Sequence, residues 1–116
     1  EGTAEQAKGL RAKIRASCRK VWSNCPAEYA ANVGNQVAWT FYAGADELSA
    51  EDKTFALEVA KKAQAAAGDE PTVIGTLACC CFMNGQKDEA VRWLERCIEL
   101  DPENEAWKKR LDEFAN

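Results

Sequence analysis

Val37-Ala38-Trp39-Thr40-Phe41-Tyr42 and Leu77-Ala78-Cys79-Cys80-Cys81-Phe82 follow one pattern: an aliphatic residue, Ala, three residues, then an aromatic. Each stretch is followed by a second helix-like run, Ala56 to Ala63 in one case and Ala90 to Cys97 in the other. The later run ends in Leu100-Asp101-Pro102-Glu103-Asn104. A helix pair that occurs twice predicts a stacked helical repeat, because a single pair cannot bury its own apolar face. Folds of that kind usually bind other polypeptides rather than run chemistry.

The length of 116 residues fits one domain, and 47% apolar residues are ordinary for a globular protein. Abundant Ala with few Pro favours helix throughout. No stretch alternates apolar and polar residues for long, so no sheet is expected. Apolar runs stay far below the roughly 18 residues that span a bilayer, so no membrane segment is expected. The first residue is Glu1 rather than Met, which reads as an excised domain or a processed product.

The net charge of −4 is unevenly spread. Residues 1–25 carry Lys8, Arg11, Lys13, Arg15, Arg19 and Lys20 against Glu1 and Glu5, a balance of +4; the remainder stands at −8. Overall acidity argues against a nucleic-acid partner.

The spacing predicts about six antiparallel helices. The first covers residues 1–25 as a basic amphipathic element. Ala7, Leu10, Ile14, Cys18, Val21, Trp22 and Cys25 form its stripe, and Lys8, Arg11, Arg15 and Arg19 a solvated flank. The second starts at Pro26, and the third after Ser49, closed by Gly68. The fourth starts at Pro71 and ends at Asn84-Gly85, and the fifth runs from Lys87 to Leu100. Asp101 as cap and Pro102 in the first turn predict a sixth helix over 102–115. Its apolar side holds Trp107, Leu111 and Phe114, and its wet side holds Lys108, Lys109 and Arg110, which suits a terminal cap on a stack.

The segment Pro71 to Asn104 resembles the tetratricopeptide repeat, whose period of thirty-four residues it has. Leu77, Ala78, Ala90 and Leu94 stand at that family's packing positions, Gly85 at its turn and Pro102 at its terminal proline. The segment departs from the pattern at Ile74, Cys81 and Cys97, where the family usually has Trp, Tyr and Ala; all three remain apolar. Residues 31–70 resemble a degenerate second copy with a longer internal loop. The resemblance implies an all-α, right-handed helical repeat. It also implies a non-catalytic module that binds a polypeptide through its concave face, as a monomer or weak dimer. Carried over, that groove is lined by Asn32, Asn35, Trp39 and Tyr42, and by Thr72, Gly75, Thr76, Cys79, Phe82 and Met83. It is aromatic and neutral. With no Lys or Arg beside the two Asn residues, it does not predict the family's clamp for a C-terminal carboxylate. The alternative is an accessory or dimerisation domain whose groove is filled by its own chain. A weaker resemblance is to helical extensions of bacterial thioredoxin-like proteins, carried by Ala38-Trp39-Thr40 before a loop and an Ala-rich helix; it leans towards the periplasm.

The chain has no His and no phosphate-binding loop, so neither the commonest general base nor a nucleotide cradle is present. No cofactor is expected. The six cysteines contain no Cys-x-x-Cys spacing, and Cys79, Cys80 and Cys81 point about 100° apart on a helix. They therefore cannot converge on one tetrahedral metal ion. Small buried apolar residues are the expected role, leaving a thiol-based redox or metal-responsive module as the third reading. Free thiols lean towards a reducing compartment such as the cytoplasm.

Overall fold

The computed structural model describes residues 3–115, and every stretch of regular structure among them is helical. Six α-helices are present: α1 (Thr3–Ser23), α2 (Ala30–Ala43), α3 (Ala50–Ala67), α4 (Pro71–Met83), α5 (Lys87–Leu100) and α6 (Glu105–Ala115). Short 3-10 turns at Ala27–Tyr29 and Ala45–Glu47 complete the chain.

Local chemistry sets the boundaries. Ser49 and Asp52 form a reciprocal capping box at the start of α3. Gly68 closes that helix at φ 72° and Gly85 turns the chain after α4 at φ 79°, a left-handed region that side chains avoid. Pro71 opens α4, where its missing N–H costs nothing.

Two boundaries differ from the sequence expectation. Pro26 precedes a 3-10 turn, and α2 starts only at Ala30. The last helix starts at Glu105, not at Pro102. Its capping acceptor is the Asn104 side chain, 3.0 Å from the Ala106 N–H. Asp101 is occupied elsewhere: its carboxylate accepts the Trp107 indole N–H at 3.1 Å. A half-buried indole needs such a partner, and meeting that need leaves Asp101 outside the helix.

Cross-helix contacts define the layers. Phe41 meets Phe55 (5.2 Å) and Gly34 lies against Ala63, so α2 and α3 are antiparallel. The Cys97 thiol reaches the Pro71 carbonyl at 3.4 Å, so α4 and α5 are antiparallel as well. Asn84, just past α4, bonds the Lys53 carbonyl at the start of α3 at 2.9 Å, which ties the two pairs together. Gly75, Cys79 and Phe82 of α4 meet Trp107, Arg110 and Phe114 of α6 in the same order, so these two helices run parallel. Thus α4 lies between α2 and α6, while α3 and α5 pack behind.

The core is centred on α4. Every residue from Val73 to Cys81 is buried. Ile74, Leu77, Ala78, Cys81, Ala90, Leu94 and Cys97 are all at most 1% exposed. These are the repeat's packing positions, including the three that depart from the family's usual residues. Buried Cys acts there as a small apolar side chain.

The first helix is different, since none of its residues is buried. Its stripe is split. Cys18 and Trp22 turn towards the body and touch the core. Leu10, Ile14 and Val21 stay exposed. Nor is the basic flank merely solvated: Arg11 pairs with Glu47, and Arg19 pairs with Asp52 at 2.6 Å. The Arg19 guanidinium also lies 4.2 Å from the Phe55 ring centroid, a cation–π contact.

Candidate functional site

α2, α4 and α6 form one face of the stack, the face on which the resemblance places a groove. α4 is its floor. Its residues at the centre of that face are small, Gly75, Thr76 and Cys79, so neighbours approach closely. Trp107 uses this space: a Cβ on Gly75 would sit 2.5 Å from its ring. Phe114 stacks on Phe82 with ring centroids 4.0 Å apart. Arg110 donates to the Cys79 sulfur at 2.8 Å and lies 5.6 Å from the Trp39 ring centroid. Part of the expected groove is therefore closed by α6, and not by α1.

What remains open is a cleft of about 550 Å³ between the α2 and α6 walls. Asn35, Trp39, Thr72, Thr76, Trp107 and Arg110 line it. Trp39 is 42% exposed. Thr76 gives its hydroxyl to the Thr72 carbonyl at 3.2 Å, so that polar group is already satisfied. The Asn35 side-chain oxygen is buried without a hydrogen-bond partner. Arg110 forms no ion pair among the described residues.

The residues expected to share one groove are thus divided. Asn35, Trp39, Thr72 and Thr76 come together in the cleft. Asn32 lies on the other side of α2, in a groove facing α1. Tyr42 is half-buried against Trp39, with ring centroids 5.5 Å apart. Cys79 is fully buried, Met83 packs against the core, and Phe82 is covered on one ring face by Phe114.

Sequence reasoning missed Trp107 and Arg110 as lining residues. The apolar side of α6 reads in the sequence as a terminal cap on the stack, whereas in the fold α6 is also the second wall of the groove. The available signal was Gly75, a gap in α4 at the position where a large side chain from the next helix would fit. Arg110 also changes the charge of the face, because a sequence-neutral groove gains a half-buried cation.

The four thiols of the repeat, Cys79, Cys80, Cys81 and Cys97, are buried and structural. All six cysteines are free. Burial pushes the thiol pKa of Cys80 and Cys97 up to about 12 and that of Cys81 up to about 11. Cys79 is also raised by burial, against the opposing pull of Arg110. Tyr42 is raised chiefly by burial. A thiol held protonated at neutral pH is a poor nucleophile and a poor metal ligand. Among the described residues no three Cys, Asp or Glu side chains gather into a metal-binding group.

No curated protein and no solved structure matches the chain, and nothing supports the resemblance to thioredoxin-like extensions. Residues 71–104 match the tetratricopeptide repeat family. Repeats of this family generally serve as protein–protein interaction modules and are typically non-catalytic. The helix pair that forms the centre of this stack is a tetratricopeptide repeat.

Proposed function

We propose that the cleft between α2, α4 and α6 binds an extended polypeptide segment carrying a carboxylate. Trp39 and Trp107 supply aromatic walls, which give contact area at low conformational cost. Arg110 supplies the charge. The observation that carries this reading is that cation: half-buried, aimed across Trp39, and without a carboxylate partner among the described residues. A guanidinium in such a place favours a planar anion that accepts two hydrogen bonds.

Peptides selected by phage display on the wild-type domain test the proposal. They are expected to be rich in Asp and Glu or to require a free C-terminus. They should lose at least about tenfold in affinity on Trp39→Ala and on Arg110→Gln, each worth roughly one hot-spot contact. Selected peptides that bind both variants as tightly as the wild type would move the site elsewhere.

One observation favours the accessory-domain reading: α6 already fills the half of the groove over Gly75 and Cys79. Under that reading the selection yields no peptide, and Trp39→Ala alters nothing but local fluorescence.

A further inference from the structure

A second recess lies on the opposite side of α2. Leu10, Ile14 and Val21 of α1 stand 59%, 43% and 54% exposed, a level normal for a single surface residue but not for a stripe. Together with Val33 and Val37 of α2 they line a groove of about 580 Å³. A neighbouring hollow of about 550 Å³ continues past Val21 to Tyr29, itself 53% exposed. The apolar positions of α1 are four and seven residues apart, so they form a straight seam about three turns long. A seam of that spacing complements the apolar face of another helix.

The charges around the recess select the partner. Lys13 lines the groove and Lys20 the hollow, and no Asp or Glu lines either. The two lysines stand seven residues apart, about 10 Å along the outer rim of the seam. Neither is in an ion pair among the described residues, whereas Arg11 and Arg19 of the same helix are tied inward to Glu47 and Asp52. Lys8 and Arg15 add to the positive field that lowers the Glu47 pKa, whose main cause is the hydrogen bond from Arg11. The helix thus divides its bases: those turned to the body hold it there, and those at the open rim have no acid to meet.

From this we infer that the trough between α1 and α2 docks an acidic amphipathic helix of a partner protein, with its apolar face on Leu10, Ile14 and Val21 and its carboxylates on Lys13 and Lys20. A second copy of this chain would bring the same lysines against each other in a seam-to-seam pair, which like-charge repulsion opposes. A lipid surface fits less well. The seam is recessed against α2, and the remaining residues carry a charge of −8 that anionic headgroups repel. The inference stands apart from the cleft at Trp39 and Arg110.

The test is a fluorescence-anisotropy titration of the full chain with a labelled helical peptide that has a leucine seam and glutamate flanks. A twin peptide with lysine in place of every glutamate is the control. The glutamate peptide binds and the lysine peptide does not. Leu10→Ser with Ile14→Ser abolishes binding. Lys13→Glu with Lys20→Glu weakens the glutamate peptide about tenfold, the sum of two exposed charge pairs, and gains binding of the lysine peptide. All four positions are exposed, so heat unfolding stays unchanged. A peptide selected on the cleft of α2, α4 and α6 still binds the Leu10→Ser/Ile14→Ser variant, which separates the two sites. Equal binding of both peptides, or of neither, overturns the inference. A dimer in sedimentation that Leu10→Ser dissolves assigns the trough to a second copy instead. Binding to phosphatidylserine vesicles that the same variant loses assigns it to lipid.

Discussion

The helices α1 and α4 are built from different residues and are used in opposite ways. α1 has 21 residues and buries none, while α4 has 13 residues and buries nine in a row. The longer helix has the clearer amphipathic pattern and six bases to solubilise it; the shorter is apolar nearly all round. A helix that is apolar on every side must lie at the centre of the fold, and small residues let it be surrounded closely. A helix with one broad apolar stripe needs a neighbour on that stripe, and α2 covers only half of it. The stack is therefore stable at its centre and unfinished at its first helix.

Cavity-forming substitutions break this comparison most sharply. Leu77→Ala removes a side chain only 1% exposed and is expected to cost about 3 kcal/mol, while Leu10→Ala, at 59% exposure, should cost under about 0.5 kcal/mol. Urea unfolding of the two variants checks the contrast, and equal losses would mean that α1 belongs to the core.

The next largest effect is expected from Gly75→Ala. The added methyl group would meet the Trp107 ring at 2.5 and 2.8 Å. Overpacking of this kind costs about 2 kcal/mol. Trp107 must move to admit the methyl, so its fluorescence should shift and the cleft should change shape. Unaltered stability and emission would show that α6 does not seat on α4.

Thiol chemistry sharpens the comparison without any mutation. Cys18 and Cys25 are half-buried at the first helix, while Cys79, Cys80, Cys81 and Cys97 are buried in the repeat. A native sample should therefore release two thiols quickly to a water-soluble disulfide reagent, and the other four only on unfolding. Six fast thiols would contradict the packing of α4 and α5.

The smallest expected effect concerns the attachment of α1. Hydrogen bonding to Arg19 holds the Asp52 carboxyl below its usual value of 3.8. A carboxylate with a depressed folded pKa adds stability above its unfolded value, and that stability is lost as pH falls through the lower, folded value. The hydrogen-exchange protection factors of α1, taken relative to the intrinsic rate at each pH, should therefore fall below pH 3.8 while those of α4 hold, and Asp52→Asn should remove the step. Glu47 is depressed by Arg11 in the same sense, and its contribution is lost below its own usual value of 4.5.

Much of this fold is legible in the residues. The spacing of Leu77, Ala78, Ala90 and Leu94 marks the repeat, and Ile74, Cys81 and Cys97 keep its apolar character though not its usual side chains. Gly68 and Gly85 mark turns that need left-handed backbone. The site is less legible, for physical reasons. Trp107, Leu111 and Phe114 reveal that α6 has an apolar face, but not that Arg110 beside them turns inward over Trp39. That placement depends on Gly75 and Cys79 being small across the interface, a matter of fit between distant segments. The stripe of α1 is legible as well, but not its division between Trp22, which leans on Gly34, and Leu10, which stays 59% exposed.

The most direct test of the binding account is amide hydrogen exchange on the wild-type domain, free and with a peptide selected on it. The free domain should exchange fastest in α1 and slowest over Val73–Cys81. Peptide binding should add protection around Asn35–Thr40 of α2 and Ala106–Arg110 of α6. Protection gained only on α3 and α5, or only on α1, would contradict the claim that the cleft between α2, α4 and α6 is the peptide site.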